Sequence, residues 1–467
     1  MSFGSRLIGR IRRMFNLTMK NASEAFGIDI IHSPEMYAAQ SKWNSIITGI
    51  PPWLDAEDDI ETVNLALLMC NTRARLTTLD IGVAMSQSPR TEYMQSVADN
   101  LLSKVGEKLS RGLALGGMMI KYNGESWDIM YPGQFAVTDK DSNGNIQGAI
   151  FSVQKVQGDS IYTRLEWHRF EQSGTGKTYR ITNKVFKSPL NGNDEQLGKP
   201  VKLNAVEAWK DIEPEVRIAN LDKPLFAYFR VPGDNFIDES SPLGASAFAG
   251  AISELKAVDV AISRKNAEVE DSKHITFVSQ VAIQSAQKQG TKLPRFVKGL
   301  GVGINANENS AIHEHVPTML TDQRIKDINF NLSLAGTKCG FSEGTFVMDG
   351  QTGMITATQV EADDRDTIQL IKDTRDALRL ALDQALYGAD QIITLYNLAP
   401  LGLYDIDYNF GDITYSYEED KASWKQYVIQ GWVPAWKYFV KFEGMSEEEA
   451  KALVAEAQSA KKGLFEE

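Results

Sequence analysis

The sequence predicts an α+β fold, in which helical segments and strand segments occupy separate stretches of the chain. Three observations lead to this prediction. Apolar residues recur at helical spacing over about 34–117, short strand patterns between turn residues fill about 118–230, and helical spacing returns from about 243 onward. Such segregation of helices from strands along a chain is typical of the α+β class.

The first region begins with a helix-start signal at Ser33 and Pro34. Proline is favoured at the first helical position because it has no N–H group to leave unpaired there. Two apolar stripes follow at helical spacing, which predicts further amphipathic helices. The stripes are Ile60, Val63, Leu67 and Cys70, and then Val97, Leu101, Val105 and Leu109.

The second region is typical of antiparallel strands, with strand patterns at 118–122, 149–153 and 162–167. Asn143-Gly144 and Asn191-Gly192 are typical of hairpin turns because both residue types tolerate the positive φ of a tight turn. We therefore expect a sheet built largely of hairpins.

Two motifs in this region imitate functional loops. The segment from Asp139 to Ile146 copies the first half of a calcium-binding loop, but Ile150 occupies the position of the bidentate glutamate. The segment from Gly174 to Thr178 ends like a phosphate-binding loop, but Glu171 replaces the first glycine and a strand pattern follows. Both segments are predicted to be hairpin turns.

The third region is predicted to be two helices separated by a strand-containing insert. The first helix carries the stripe Phe248, Ile252, Leu255 and Ile262, and the second spans about 321–338. The insert contains strand patterns at 275–278 and 295–297. His313 and His315 alternate as on a strand and lack the further ligands that zinc needs. The glycine-rich stretch 299–303 is expected to be a loop.

The longest predicted helix begins near Thr356 and extends about 50 Å, since its apolar face continues for roughly 35 residues. The tail is expected to hold a strand at 413–417 and then two short helices, the second opened by a capping box of Ser446 and Glu449. Acidic residues at the start of the long helix complement its dipole. They are Glu361, Asp363, Asp364 and Asp366, and the apolar face is Ile368, Ile371, Leu378, Leu382, Ala385 and Ala389.

The chain is acidic, with 61 Asp and Glu against 49 Lys and Arg and a formal net charge of −12. Tight, general binding to nucleic acid depends on clustered basic residues, so this balance disfavours it. Two cysteines, Cys70 and Cys339, do not make a disulfide framework and indicate synthesis in a reducing cytoplasm. The basic, amphipathic residues 1–15 lack the features of a signal peptide. We expect a peripheral helix packed on its own protein there, with a membrane surface as the alternative.

No catalytic constellation is recognisable, and we expect no enzyme activity, cofactor or metal. The histidines do not stand in a nucleophile–base pattern. The acids near 361–366 lack the signs of a hydrolase carboxylate pair, which would need a cleft and one raised pKa.

The segment 321–396 resembles the portal (head-to-tail connector) proteins of tailed bacteriophages, of the type found in long-tailed phages of Gram-positive bacteria. In that family a helix ends in a Cys-Gly or Gly-rich turn, a G-T-F-x-x-D-G stretch follows, and a long helix then opens with Thr-Ala-Thr-x-Val. Here these features are Cys339-Gly340, the stretch from Gly344 to Gly350, and the stretch from Thr356 to Val360.

The resemblance extends to other segments and covers most of the chain. They include Pro242 to Ser246 with the stretch Ala251 to Asp259, Gly431 to Tyr438, and Asn71 to Ala74. Two departures are visible. The family loop after the Asp-Gly pair often bears lysine, whereas residues 351–354 are uncharged, and the C-terminal region is short.

The resemblance implies an elongated portal fold with a mixed α/β wing, a helical stem, an α/β clip, a tunnel loop, a long wing helix and a small helical crown. The implied ranges run in chain order as follows: 1–242 N-terminal wing (helical 34–117, β-rich 118–230), 243–272 first stem helix, 273–313 clip, 314–340 second stem helix, 341–355 tunnel loop, 356–415 long wing helix and return strand, and 416–467 crown.

Two sets of site residues follow from these ranges. The tunnel loop would face the DNA channel, and its acids would repel phosphates so that DNA passes without adhering. The implied clip carries a local basic cluster that would meet an acidic partner or phosphates, or would be a solvated loop. The tunnel-loop residues are Glu343, Thr345, Phe346, Met348, Asp349, Gln351, Thr352 and Met354, and the clip cluster is Lys273, Lys288, Lys292, Arg295 and Lys298.

The resemblance also implies partners and a location. The chain would form a homo-oligomeric ring, dodecameric in the virion, at the capsid vertex after assembly in the host cytoplasm. Double-stranded DNA would be packaged and ejected through it. The packaging ATPase (terminase large subunit) would dock first and the head-completion adaptor later, and the major capsid and scaffold proteins would surround the ring. No membrane partner is expected.

Two alternatives remain open at the sequence level. Another oligomeric virion protein, such as a minor capsid or baseplate component, would also assemble into oligomers but would not have this order of elements. An enzyme such as a nuclease or ATPase would require an intact phosphate loop or a carboxylate–metal cluster.

Overall fold

The computed structural model of the protein has a mixed α+β architecture, as predicted. The described residues are 22–31, 33–54, 60–173, 176–190, 197–271, 275–279, 288, 297–300, 312–315, 320–348, 364–411, 417–430, 432–443 and 445–463. The basic stretch 1–15 and Asn191-Gly192 lie outside these residues.

The described helices are numbered in chain order. They are α1 Pro34–Ile47, α2 Leu65–Thr77, α3 Thr91–Ala114, α4 Ile252–Asp271, α5 Thr321–Lys338, α6 Arg365–Leu395, α7 Tyr417–Ile429, α8 Ala435–Glu443 and α9 Glu447–Gly463.

The described strands are numbered in the same way. They are β1 Gly82–Met85, β2 Gly117–Tyr122, β3 Trp127–Met130, β4 Phe135–Lys140, β5 Ile146–Gln157, β6 Ser160–Ser173, β7 Gly176–Pro189, β8 Lys199–Val201, β9 Glu215–Ala219, β10 Phe226–Arg230, β11 Ile275–Ser279, β12 Val297–Leu300, β13 Ile312–His315 and β14 Ile406–Asn409.

The N-terminal helices confirm the helix start predicted at Ser33 and Pro34, but not the helix predicted from Ile60. Helix α1 begins at Pro34, and the Ser33 hydroxyl accepts a hydrogen bond from the Met36 N–H group as an N-cap. The predicted stripe from Ile60 to Cys70 was wrong in its first half, since helix α2 begins only at Leu65. The Val63 N–H group instead donates to Asp259 of helix α4, at 3.0 Å.

The largest sheet is antiparallel, with strand order β4-β5-β6-β7-β8 and with β9 also paired to β7. The segment that resembles a calcium-binding loop and the segment that resembles a phosphate-binding loop both join neighbouring antiparallel strands, as predicted. Residues 141–145 connect β4 to β5, and Gly176 opens strand β7 directly opposite Ser173 at the end of β6. A second sheet, β10-β2-β3, packs its buried residues into the main core.

Helix α6 is the longest described helix, and its predicted apolar face is buried in the core. Leu378, Leu382 and Ala389 are fully or almost fully buried. The helix begins at Arg365, and the start expected near Thr356 lies outside the described residues. Gly388 lies at a close contact, because a Cβ atom there would lie 3.0 Å from the carbonyl oxygen of Leu225 and press against that backbone.

The region between 243 and 320 differs in detail from its predicted boundaries. Helix α4 begins at Ile252 rather than near 243, and a 3-10 helix at Ala249–Ala251 directly precedes it. A Cβ atom on Gly244 would lie 2.3 Å from the Gly116 carbonyl oxygen, so this contact admits only glycine. Strand β13 reaches His315, so the boundary expected at 313 cuts a strand, and Gly299 and Leu300 belong to strand β12 rather than to a loop.

Gly411–Glu467 forms a separate compact unit. It contains helices α7, α8 and α9, where two helices were expected. The capping box at α9 is confirmed, since the Ser446 hydroxyl accepts from the Glu449 N–H group while the Glu449 carboxylate accepts from Ser446. Of the strand expected at 413–417, only Tyr417 is described, and it begins helix α7.

Candidate functional site

The first part of the candidate site is a hairpin of helices α4 and α5. Two ion pairs show that the helices run antiparallel, because each joins the start of one helix to the end of the other. Lys338 Nζ lies 2.6 Å from Glu254, and Arg324 Nε lies 2.9 Å from Glu268. The pairs are separated by 14 residues on both helices (254 to 268 and 324 to 338), or about 21 Å of helix.

The helices of this hairpin meet through apolar side chains, and the two ion pairs that join them lie at the edges. Leu255, Val258, Ile328 and Leu332 are buried. Lys338 keeps 41% of its side-chain area exposed and Arg324 keeps 37%. The two helices therefore adhere through apolar burial, while the ion pairs set their register.

Buried Asp259 fixes the hairpin to the segment that connects helices α1 and α2. Its carboxylate accepts hydrogen bonds from the indole N–H group of Trp53 at 2.9 Å and from the backbone N–H group of Val63 at 3.0 Å. Asp259 is only 2% exposed, so these donors replace its lost water. The sequence does not mark this residue, because its partners lie about 200 residues away.

The insert between the two helices contains a small sheet of strand order β12-β11-β13. Strands β11 and β12 pair in parallel, and β13 pairs antiparallel to β11. Of the predicted basic cluster, Lys288 is exposed and Lys298 lies in strand β12 opposite Phe277. Lys273, Lys292 and Arg295 lie outside the described residues.

The second part of the site is the loop base, residues 340–348, which follows helix α5. Gly340 has φ +84 and turns the chain away from the helix, and the Phe341 N–H group donates back to the Gly336 carbonyl at 3.0 Å. The Phe341 and Phe346 rings pack edge to face at 4.9 Å between centroids. Gly336 permits this, since a Cβ atom there would lie 3.3 Å from the Phe346 ring.

A reciprocal pair of hydrogen bonds connects the loop base to helix α6. The Ser342 N–H group donates to the Thr367 hydroxyl at 2.8 Å, and the Thr367 N–H group donates to the Ser342 hydroxyl at 3.1 Å. The pair therefore joins the two described flanks of the segment 349–363. Sequence reasoning missed this pair, because serine and threonine carry no pattern that reveals so distant a partner.

The predicted tunnel-loop residues divide into three groups. Glu343, Thr345 and Met348 are exposed, and Met348 keeps 69% of its area accessible. Phe346 is half-buried against Phe341 and contributes to packing. The other predicted residues lie outside the described residues. They are Asp349, Gln351, Thr352 and Met354.

Away from the hairpin, the two sheets share a buried polar cluster that sequence reasoning did not find. Glu166 lies 2.7 Å from Lys121 Nζ, 2.6 Å from His168 Nε2 and 3.1 Å from Arg164 Nη2. The other ring nitrogen of His168 lies 2.9 Å from the Tyr179 hydroxyl. Lys121 belongs to β2 and the others to β6 and β7, so the cluster connects two sheets.

The electrostatics of this cluster favour a structural role. Burial alone would raise the pKa of the Glu166 carboxyl, but Lys121, His168 and Arg164 together hold it well below its usual range. Burial lowers the pKa of His168 although Glu166 opposes the shift. Glu166 is 8% exposed and His168 is 2% exposed, so a substrate could reach neither group.

Within the described ranges, no group of three or more His, Cys, Asp or Glu side chains is placed to hold a metal ion. Among the helices that the structure describes, none is long and apolar enough to cross a membrane.

Comparison with known proteins identifies no family. No protein-family model matches the chain, and no curated protein is significantly similar to it in sequence.

Proposed function

We propose that this chain is a subunit of a bacteriophage portal, the ring at the capsid vertex through which DNA is packaged and ejected. One observation carries the proposal. An antiparallel hairpin of α4 and α5 bears a small sheet at its far end, and a loop that is tied to the start of helix α6 follows the hairpin. This is the order stem, clip, stem, tunnel loop and long wing helix that the sequence resemblance implies.

In the proposed ring, the hairpin forms the wall of the conduit. Its two helices are joined along about 21 Å between the two ion pairs, and Asp259 attaches them to the segment that connects helices α1 and α2. Twelve such hairpins around one axis would line a channel. The insert at the far end would offer a docking surface to the packaging ATPase and later to the head-completion adaptor.

The loop between Ser342 and Thr367 is the part proposed to face DNA. Its described ends carry exposed acids, Glu343, Asp364 and Asp366. Carboxylates near a passing duplex repel its phosphates and keep binding weak. Weak binding suits a channel that must release DNA continuously during packaging and ejection.

Negative-stain electron microscopy of the purified, full-length protein tests the proposal. We expect rings with a central hole. A globular monomer without rings at any protein concentration would overturn the proposed function.

Deletion of residues 344–354 tests the loop separately. We expect the variant to assemble into rings, because the hairpin and helix α6 remain, but to fail to package DNA in an infected cell. Normal packaging by rings of this variant would refute the assignment of the loop to the channel.

A further inference from the structure

The side of helix α4 that is turned away from α5 is basic. Its stripe of Lys256, Val260 and Arg264, here called the basic stripe, repeats every four residues, or about one helical turn. Val260 lies about 200° around the helix from buried Val258, which packs toward α5. Lys256 and Arg264 are exposed and Val260 is half-buried. This side of the hairpin therefore presents two cations around a small apolar centre.

The side of helix α5 that is turned away from α4 bears an apolar groove. Phe330 lies about 200° around the helix from buried Ile328, so it faces outward. Phe330, Leu334 and Val347 of the loop base contribute the apolar lining of a groove of about 540 Å³, here called the apolar groove. Phe330 is 66% exposed and Leu334 is 36% exposed. In the single chain this apolar lining is therefore open to solvent.

An exposed acid stands at each end of the apolar groove. Asp327 precedes Phe330 by three residues, and Glu343 is the one charged residue among the groove's lining residues. The exposed Lys326 lies about 100° around the helix from Asp327, so its charge points to a different side. Neither acid forms an ion pair with a described residue, and the two cations of the basic stripe form none there either.

The register of the hairpin shows which positions on its two outer sides stand at the same height. The two ion pairs make Glu254 level with Lys338, and Glu268 level with Arg324. Because the helices are antiparallel, Val260 is level with position 332, in the middle of the apolar groove. The apolar centres of the two outer sides therefore coincide in height.

The charges of the two outer sides match in height as well. Arg264 is level with position 328, next to Asp327. Lys256 is level with position 336, next to Thr337, which lines the groove together with Glu343. Along the hairpin, one side thus has the order basic, apolar, basic, and the other side has the order acidic, apolar, acidic.

The proposed ring would bring these two sides together. A rotation about an axis that runs along the hairpin leaves every residue at its own height, so level positions of neighbouring copies meet. Helices in contact lie about 8–10 Å apart, so hairpins side by side repeat about every 16–20 Å. Twelve such repeats place the hairpins about 30–40 Å from the axis. This radius agrees with the place of the hairpin beside the loop that is proposed to face DNA.

We infer that the basic stripe of one copy packs into the apolar groove of the next copy. Arg264 then lies against Asp327 and Lys256 against Glu343, while Val260 covers the apolar lining. Two unlike surfaces that fit each other make a heterologous contact, which can close into a ring. Opposite charges at both ends of the groove fix the register of the contact. The inference rests on the proposed function for the ring, and it adds which surfaces hold neighbouring copies together.

This contact divides the exposed acids near the loop into two groups. Glu343 pairs with Lys256 of the neighbouring copy, so its charge is neutralised between copies. Asp364 and Asp366 stay exposed at the start of helix α6 and continue to repel DNA.

Charge reversal with rescue tests the contact in the full-length chain. Arg264→Glu would set two acids against each other, and Asp327→Arg would set two arginines against each other. We expect each variant to need roughly tenfold or more protein than the unmodified chain to assemble into rings. The variant that combines both changes restores opposite charges and should assemble like the unmodified chain. Sedimentation velocity and negative-stain images measure the assembled fraction.

Mixing the two single variants distinguishes a contact between copies from an effect within one copy. In a ring where Arg264→Glu and Asp327→Arg copies alternate, every contact joins opposite charges. We expect an equimolar mixture to form rings at concentrations at which neither variant does so alone. Lys155→Glu, a reversal at an exposed position of strand β5, is the control and should assemble like the unmodified chain.

The outcomes separate this contact from the proposed function. If the unmodified chain forms rings, single variants that assemble equally well, or a double variant or mixture that stays unassembled, would refute the contact alone. The absence of rings from the unmodified chain would overturn the proposed function and the contact with it. Lys256→Glu and Glu343→Lys provide the same test at the other end of the groove if one of the first two variants fails to fold.

Discussion

The β-sheet region and the helical hairpin treat charge in opposite ways. The sheets enclose Lys121, Glu166 and His168, each less than a tenth exposed, between two layers. The hairpin of α4 and α5 keeps its ion pairs at the edges, where Lys338 and Arg324 remain more than a third exposed. The ion pairs of the sheet region lie where water cannot compensate the loss of a partner, whereas the lysine and arginine of the two ion pairs that join α4 to α5 remain accessible to water.

This difference in the burial of the ion pairs indicates that the sheet region is rigid and that the hairpin can adjust. Breaking a buried ion pair leaves an uncompensated charge, so the arrangement of the two sheets tolerates little change. Surface ion pairs exchange readily with water and contribute little each. The proposed portal would use the sheet region as a rigid scaffold and the hairpin as the part that adapts while DNA and partners change.

The largest expected effect is that of Lys121→Met in the buried cluster. The substitution removes the Lys121 ammonium group, which lies 2.7 Å from the buried Glu166 carboxylate. We expect the free energy of unfolding to fall by about 3–5 kcal/mol. Urea unfolding followed by circular dichroism measures this. Lys155→Met, at an exposed position of the neighbouring strand β5, is the control and should change stability by less than about 0.5 kcal/mol. Equal effects from the two variants would refute the comparison.

Acidification should weaken the sheet region through the same cluster. The folded-state pKa values of His168 and Glu166 both lie below their ordinary values of 6.5 and 4.5. The unfolded chain therefore binds more protons, and the stability contributed by each group is present above its ordinary pKa and is lost as pH falls. We expect the free energy of unfolding to decline below pH 6.5, beginning with the protonation of His168. The groups that face this imidazole are Glu166, Lys121, Arg164 and Tyr179.

The variant His168→Gln separates this contribution from that of other groups. It should be less stable than the unmodified protein at pH 7, and its stability should fall less steeply between pH 6.5 and 4.5. Urea midpoints measured across that range provide the comparison. Parallel pH profiles for the two proteins would show that His168 does not titrate as proposed.

A smaller effect is expected where the hairpin meets helix α6. Ser342→Ala removes the hydroxyl that accepts from the Thr367 N–H group, and we expect a loss of about 1–2 kcal/mol. Because the change unties one end of the loop, limited proteolysis within 343–366 should become faster even where global stability is little affected. Ser103→Ala, at an exposed position of helix α3, is the control. Unchanged cleavage in Ser342→Ala would mean that the pair does not hold the loop.

The smallest effect is expected at the edge of the hairpin. Lys338→Met removes the exposed partner of Glu254 and should cost about 0.2–1 kcal/mol at low salt. The difference from the unmodified protein should shrink in 1 M salt, where screening already weakens the pair, with a Debye length of about 3 Å. A loss as large as that of Lys121→Met, or one insensitive to salt, would contradict the distinction between the two regions.

The sequence alone predicted the features that depend on neighbouring residues. The Ser33 cap of α1, the bounds of α5, the turn at Asn143-Gly144 and the Ser446–Glu449 capping box each arise within a few residues of chain. Capping, periodicity and turn conformation are local interactions, so a pattern of residue types is enough to reveal them. The α+β class followed from the same local patterns.

Only the tertiary structure decided the features whose partners are distant in sequence. Strand β14 at 406–409 pairs with β1, more than 300 residues earlier, and Asp259 keeps Val63 out of helix α2. The Ser342–Thr367 pair and the cluster around Glu166 likewise depend on which segments pack together. The identity of a hydroxyl or carboxylate residue does not reveal its distant partner, because burial and hydrogen bonding exist only once the chain has folded.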